Sequence, residues 1–131
     1  MTEPSYDIGR NVFDSVQKEL HEQVKGKGFW ANEYIGEAGY QFANPSIWLE
    51  KLMLVTTELA EAAEEMRKKN WKQKLRYHRD DGKPEGVGPE LADAAIRIFD
   101  LAEALGISLF DEIVHKDVFN RTRPFMHGKT A

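Results

Sequence analysis

The chain contains no cysteine. That excludes a disulfide scaffold, a thiolate metal site and a cysteine nucleophile. Stability must then come from a packed core, and a reducing cytoplasm is the expected location. No apolar run reaches the length of about 18 residues that a spanning helix needs, so no membrane partner is expected. The opening segment MTEPSYDIGR lacks the basic-then-apolar layout of a signal peptide. There is no internal repeat and no low-complexity tract. No stretch alternates apolar and polar residues over a useful length, which argues against a sheet protein. Basic charge is in slight deficit: 18 Lys and Arg stand against 22 Asp and Glu, a net charge of −4. Non-specific binding of a nucleic acid polymer is therefore disfavoured. What remains is an ordinary globular composition, 41% hydrophobic and 31% charged over 131 residues. One domain spanning residues 1–131 is expected.

Four helical segments stand out. The first covers about residues 8–25 and carries Val12, Phe13, Val16, Leu20 and Val24 as an amphipathic stripe. A connector follows, with Gly26, Gly28, Gly36 and Gly39 among Phe29, Trp30, Tyr34, Tyr40 and Phe42. So many aromatics predict packing. The second helix starts at Asn44 as cap and Pro45 as first residue, and is expected to reach Lys69. Ile47, Trp48, Leu52, Val55, Leu59, Ala62, Ala63 and Met66 are its expected buried face. Residues 70–88 hold Asp80, Asp81, Gly82, Pro84, Gly86 and Gly88 and read as a loop, with room for a helical turn around Trp71–Tyr77. The third helix is expected to begin near Pro89 and to end at Gly106. Its apolar positions are Leu91, Ala94, Ala95, Ile98, Phe99, Leu101, Ala102 and Leu105. Ser108 and Asp111 suit the start of a fourth helix, which carries Leu109, Ile113, Val114 and Phe119 and stops at Pro124. The expected class is all-α, a four-helix arrangement.

Carboxylates interrupt the second and third helices. Glu58 and Glu61 share a helical face, and Glu90 and Asp93 repeat the spacing. Each pair is surrounded by Leu and Ala. Neither Glu58 nor Glu61 has a cation four residues on; Asp93 has Arg97. Acids on a solvated face usually alternate with Lys or Arg. Four carboxylates meeting between two antiparallel helices would repel one another unless a cation neutralised them. Hard divalent ions take oxygen ligands, so the set reads as a site for Mg²⁺ or Mn²⁺. The plain alternative is an acidic face in water.

Residues 67–83 carry eight cations (Arg67, Lys68, Lys69, Lys72, Lys74, Arg76, Arg79 and Lys83) against two acids, a net +6. Residues 46–66 carry five Glu and one Lys, a net −4. Acid that holds metal beside base that attracts phosphate suits a nucleotide enzyme. Near the end of the chain, Lys116 and Asn120 face the same way on a helix, with Arg121 and Arg123 beyond. Cations at a helix C-terminus are also simply stable there.

With these residues in view, the sequence resembles the MazG-like all-α nucleoside triphosphate pyrophosphohydrolases, relatives of dimeric dUTPases and phosphoribosyl-ATP pyrophosphohydrolases. That family's pattern is Glu-x-x-Glu, a gap, then Glu-x-x-Asp. Here it stands as Glu58-Leu59-Ala60-Glu61 and Glu90-Leu91-Ala92-Asp93, with 28 residues between. Lys25 to Trp30, Ala104-Leu105-Gly106-Ile107 and Lys116 with Phe119 to Pro124 also look like family segments, so the likeness covers about residues 8–129. It implies a MazG-like bundle assembled as a dimer or dimer of dimers. It implies cleavage of a nucleoside triphosphate between the α and β phosphates, in house-cleaning or nucleotide-pool control. Glu58, Glu61, Glu90 and Asp93 correspond to metal ligands, with Glu58 or Glu61 also acting on the attacking water. Lys116, Asn120 and Arg123 correspond to phosphate contacts. Base-contacting residues follow no motif; Trp30, Trp48 and Trp71 are candidates, each also suited to a core. Two other readings compete. A di-iron bundle needs two Glu-x-x-His motifs, and only Glu112-x-x-His115 is present. A non-enzymatic bundle could bind a nucleotide or partner and use its acids for solubility.

Overall fold

A computed structural model of the chain describes residues 7–30 and 45–128. Among the described residues the fold is four α-helices and one small hairpin. The helices are α1 (Asp7–Gly26), α2 (Pro45–Met66), α3 (Val87–Ala104) and α4 (Leu109–Arg121). Single turns of 3₁₀ helix occur at Trp71–Gln73 and Phe125–Gly128. No described helix is long and apolar enough to cross a membrane. Asn44, Gly36, Gly39, Tyr34, Tyr40, Phe42 and Lys129 lie outside the described residues.

The helix ends have local causes. α2 stops at Met66, short of the expected Lys69, because its last turn tightens. Arg67 N–H donates to Glu64 C=O and Lys68 N–H to Glu65 C=O, one residue closer than in an α-helix. Asn70 then takes a left-handed conformation (φ 63°) and redirects the chain. α3 starts at Val87, two residues before the expected position. Pro89 sits inside the first turn, where no N–H is required. Gly106 ends α3 as expected: at φ 74° it lets Ile107 N–H reach Ala102 C=O at 2.9 Å. Ser108 caps α4 by accepting from Asp111 N–H at 3.2 Å.

The expected loop 70–88 contains a hairpin. β1 (Tyr77–His78) pairs antiparallel with β2 (Pro84–Glu85), Tyr77 opposite Glu85. Two-residue strands have no room to alternate, so the pattern was not visible. The hairpin is fixed to both neighbouring helices. The Tyr77 hydroxyl lies 3.1 Å from Glu65 of α2, and Gly88 N–H of α3 donates to Leu75 C=O at 2.8 Å.

α3 is central: it packs extensively on α2, then on α1, and touches β2 and α4. Trp30, Ile47 and Ala104 form a small core with Val24 and Trp48 against it. Phe13 joins α1 to α4 through Phe110, ring centroids 5.1 Å apart.

The buried faces differ from the expected ones. On α2, Ile47, Val55 and Ala62 are buried and Trp48 half-buried, but Leu52, Leu59, Ala63 and Met66 are exposed. Lys51 and Glu58 take inward positions instead. On α1, Val12, Phe13 and Val16 are exposed while Gln17 and His21 are buried. On α3, Leu91, Ala95 and Ile98 face outward and Asp100 inward, and Leu105 just past its end is exposed; on α4, Ile113 and Phe119 face outward. Each inward polar residue has at least one polar partner, Glu58 through one of its two oxygens, which is why burial is tolerated. Asp100 accepts from Trp30 Nε1 at 2.9 Å and lies 2.6 Å from His21 Nδ1. Gln17 donates to Ile107 C=O at 2.7 Å.

Gly86 holds the junction of hairpin and α3. Its φ of 114° and ψ of 178° are open only to glycine, and a Cβ there would lie 2.6 Å from Leu75 O. Gly86→Ala is expected to cost about 3 kcal/mol in a denaturant melt, strain and clash together. A loss within experimental error would show that the hairpin is not held in this way.

Candidate metal centre

The site lies on the seam between α2 and α3. Glu58 comes from the middle of α2, and Glu90 and Asp93 from the first two turns of α3. One carboxylate oxygen of each lies within 4.8 Å of the others. Oxygens sharing a small divalent ion, with bonds of about 2.1 Å, stand roughly 3–4 Å apart, so modest side-chain rotation suffices to close the set.

Glu58 is 6% exposed. Its Oε1 accepts from Arg97 Nε at 2.6 Å. Arg97 thus crosses to α2, although the sequence spacing also suited a pair with Asp93. Glu58 Oε2 and Glu90 Oε2 are buried with no hydrogen-bond partner among the described residues. A buried oxygen without a donor is costly, and a cation held by these residues would offset that cost.

Burial and its acidic neighbours push the Glu90 carboxyl up to about 7; desolvation is the largest cause, followed by a hydrogen bond to Glu61 and repulsion from Glu61, Glu58 and Asp93. Glu61 itself is exposed at the rim of the seam. Desolvation and Glu58 also raise Asp93, against the pull of Arg97 and Lys83. Glu58, Glu90 and Asp93 can therefore hold a metal ion, with Glu61 in hydrogen-bonding contact with one of them.

Two cavities open from the acids. One, of about 190 Å³, is lined by Glu58, Asp93, Arg97 and Asp100 together with Val24, Phe29 and Ile96. The other, of about 680 Å³, runs from Asp93 under the hairpin past Arg76, His78 and Lys83. Lys116 and Asn120 stand on α4 and Arg123 just beyond it, and none of the three lines either cavity. Lys116 Nζ and the Arg123 guanidinium both stand over the Phe119 ring, at 5.3 and 5.8 Å from its centre. Among the tryptophans, Trp30 is buried on Asp100, Trp48 packs on Trp30 at 5.9 Å between ring centres, and Trp71 lines a surface pocket with Tyr77.

Asp100, Arg76 and Lys83 stand at the site without having been marked individually by the sequence, and Arg97 was marked only as a partner for Asp93. Arg97 and Asp100 extend the α3 face in the series Glu90, Asp93, Arg97, Asp100, whose spacings of three and four residues were available as a signal. Lys83, with Arg76, lay unmarked within a basic run whose members have different fates. Arg67 pairs with Glu64, Lys68 with Glu65, and Arg79 with Asp81 and Glu85.

Compared with known proteins, the chain matches no family model, no curated protein and no solved structure.

The raised Glu90 gives the metal-free protein a pH dependence. In the folded chain Glu90 keeps its proton up to about 7, against 4.5 for an ordinary glutamate side chain. The folded state therefore binds the extra proton, and its contribution to stability is full below 4.5 and lost as pH rises through about 7. Without divalent ions the melting temperature should fall over this window. Added Mg²⁺ or Mn²⁺ should restore it, and more strongly above pH 7 than below. Glu90→Gln should remove the fall. A profile that does not change between wild type and Glu90→Gln would place the proton elsewhere.

Proposed function

We propose that the chain is a divalent-metal-dependent nucleoside triphosphate pyrophosphohydrolase, with a MazG-like fold and Mg²⁺ as the working ion (Mn²⁺ as a substitute). The observation that carries this is the convergence of Glu58, Glu90 and Asp93, drawn from two spaced acidic motifs, with two buried oxygens that have no donor among the described residues. The likeness of those motifs to the MazG-like pattern supplies the substrate class.

In this reading water attacks the α phosphorus and the bond from that phosphorus to the α–β bridging oxygen breaks. The products are a nucleoside monophosphate and pyrophosphate. A bound cation would neutralise phosphate oxygens and make a water more acidic. Glu58, Glu90 and Asp93 would hold it, with Glu61 completing the set from the rim. Glu61 is also the accessible base that takes the proton from water. Glu58 is less suited to that step, because Arg97 occupies its Oε1. Lys116, Asn120 and Arg123 are the proposed phosphate contacts from α4. The physiological role proposed is house-cleaning or control of a nucleotide pool in the cytoplasm.

The test is a panel of ribo- and deoxynucleoside triphosphates with Mg²⁺ or Mn²⁺, separating pyrophosphate from orthophosphate. Monophosphate plus pyrophosphate is expected. EDTA should abolish turnover, and Glu61→Gln should lower kcat by at least about a hundredfold while nucleotide still binds. Binding with no turnover in the wild type would favour the non-enzymatic nucleotide-binding bundle. Release of orthophosphate alone would contradict α–β cleavage.

We further propose a homodimer or homotetramer. Leu52, Leu59 and Met66 recur every seven residues on α2 and are 53%, 50% and 43% exposed, with Leu49 and Met53 beside them. A stripe of this kind on a water-facing helix marks an association surface. Light scattering after gel filtration should give two or four chain masses. Leu59→Glu should shift the mass toward one chain; a wild-type mass of one chain would contradict the assembly.

A further inference from the structure

The hairpin contributes no residue to the acid cluster, yet its cavity ends at one of the cluster's members. Arg76, just before β1, and His78, its last residue, line the same cavity. Tyr77, between them, turns the other way to Glu65 and Glu85. Lys83 enters the same cavity from the opposite arm, next to Pro84, the pairing partner of His78. The remaining wall is the first turn of α3, Gly88 and Pro89, then Asp93. Among the described residues neither Arg76 nor Lys83 is engaged in an ion pair, whereas Arg67, Lys68 and Arg79 all are. Two cations without an ion pair, facing one cavity of about 680 Å³, make it attractive to anions. Its only acid is a candidate ligand of the metal.

We propose that this cavity is the seat of the substrate's terminal phosphates, with Arg76 and Lys83 contacting the pyrophosphate end while the α phosphate lies at the acids. The assignment rests on the hydrolase reading for the identity of the substrate, but not for the existence of the anion site. Asp93 is shared between the two regions, so a chain of phosphates running from the acids into the hairpin meets negative charge only where a cation can bridge it. Pyrophosphate then leaves from the hairpin side. The hairpin's attachment to both α2 and α3 keeps the two cations in register with the seam.

The test is calorimetric titration of the full chain with inorganic pyrophosphate in the presence of Mg²⁺. The wild type should bind, and Arg76→Ala/Lys83→Ala should weaken binding by at least about tenfold, the loss expected for charge-assisted contacts. Both residues are exposed, and circular dichroism checks that the variant is folded. Arg67→Ala/Lys72→Ala removes the same charge from the same segment outside the cavity and should change affinity less than about twofold. Equal weakening in both double variants would reduce the effect to net charge and overturn the proposal. So would unchanged affinity in Arg76→Ala/Lys83→Ala, or no binding by the wild type. The two readings fail separately. Hairpin-dependent pyrophosphate binding with no triphosphate cleaved would remove the hydrolase and keep the anion site. Cleavage with hairpin-independent pyrophosphate binding would do the reverse.

Discussion

Repulsion between carboxylates on the α2–α3 seam is the constraint around which the chain is organised. These two helices make the most extensive contact in the fold, and Glu58, Glu90 and Asp93 sit within it. A structural seam would normally be apolar. Here the chain answers the repulsion in part: Arg97 neutralises Glu58, and Glu90 is held in its protonated form up to about neutral pH. One buried oxygen each of Glu58 and Glu90 still has no donor among the described residues. A cation is the economical completion, because one ion addresses the repulsion and the orphaned acceptors together.

The rest of the architecture follows from giving the inner face to polar groups. Lys51, Glu58, His21, Gln17 and Asp100 occupy positions that leucines would take in an ordinary bundle. Asp100 gathers His21 and Trp30 and so fixes α1 and the segment after it against α3. The same segment supplies Phe29 to the cavity beside Glu58 and Asp93. Apolar residues displaced from the inner face reappear outside, as the stripe on α2. Polar interior and apolar exterior are thus one feature seen from two sides.

Much of this was legible beforehand. The existence, order and approximate limits of the four helices follow from apolar periodicity, and Gly106 and Ser108 behave as their residue types require. The four acids were visible because they interrupt Leu–Ala runs without a neutralising partner. Burial was not legible. Leu52 and Leu59 have the periodicity of a core face, and periodicity does not say whether the surface that covers them belongs to the same chain. The polar seam was hidden for the complementary reason: a buried Asp100 or Glu58 is tolerated only through partners distant in sequence, Trp30 and Arg97, which spacing within one helix does not reveal. The hairpin escaped because strands of two residues carry no alternation, and so the separate positions of Arg76 and Lys83 within the basic run could not be told from those of their neighbours.

The most direct measurement is Mn²⁺ binding by electron paramagnetic resonance, on wild type and on Glu58→Gln, Glu90→Gln and Asp93→Asn separately. The account predicts saturable binding in the wild type and a clear loss of affinity in each variant, because all three oxygens serve one ion. Binding that survives all three substitutions, or no binding by folded wild-type protein, would contradict it.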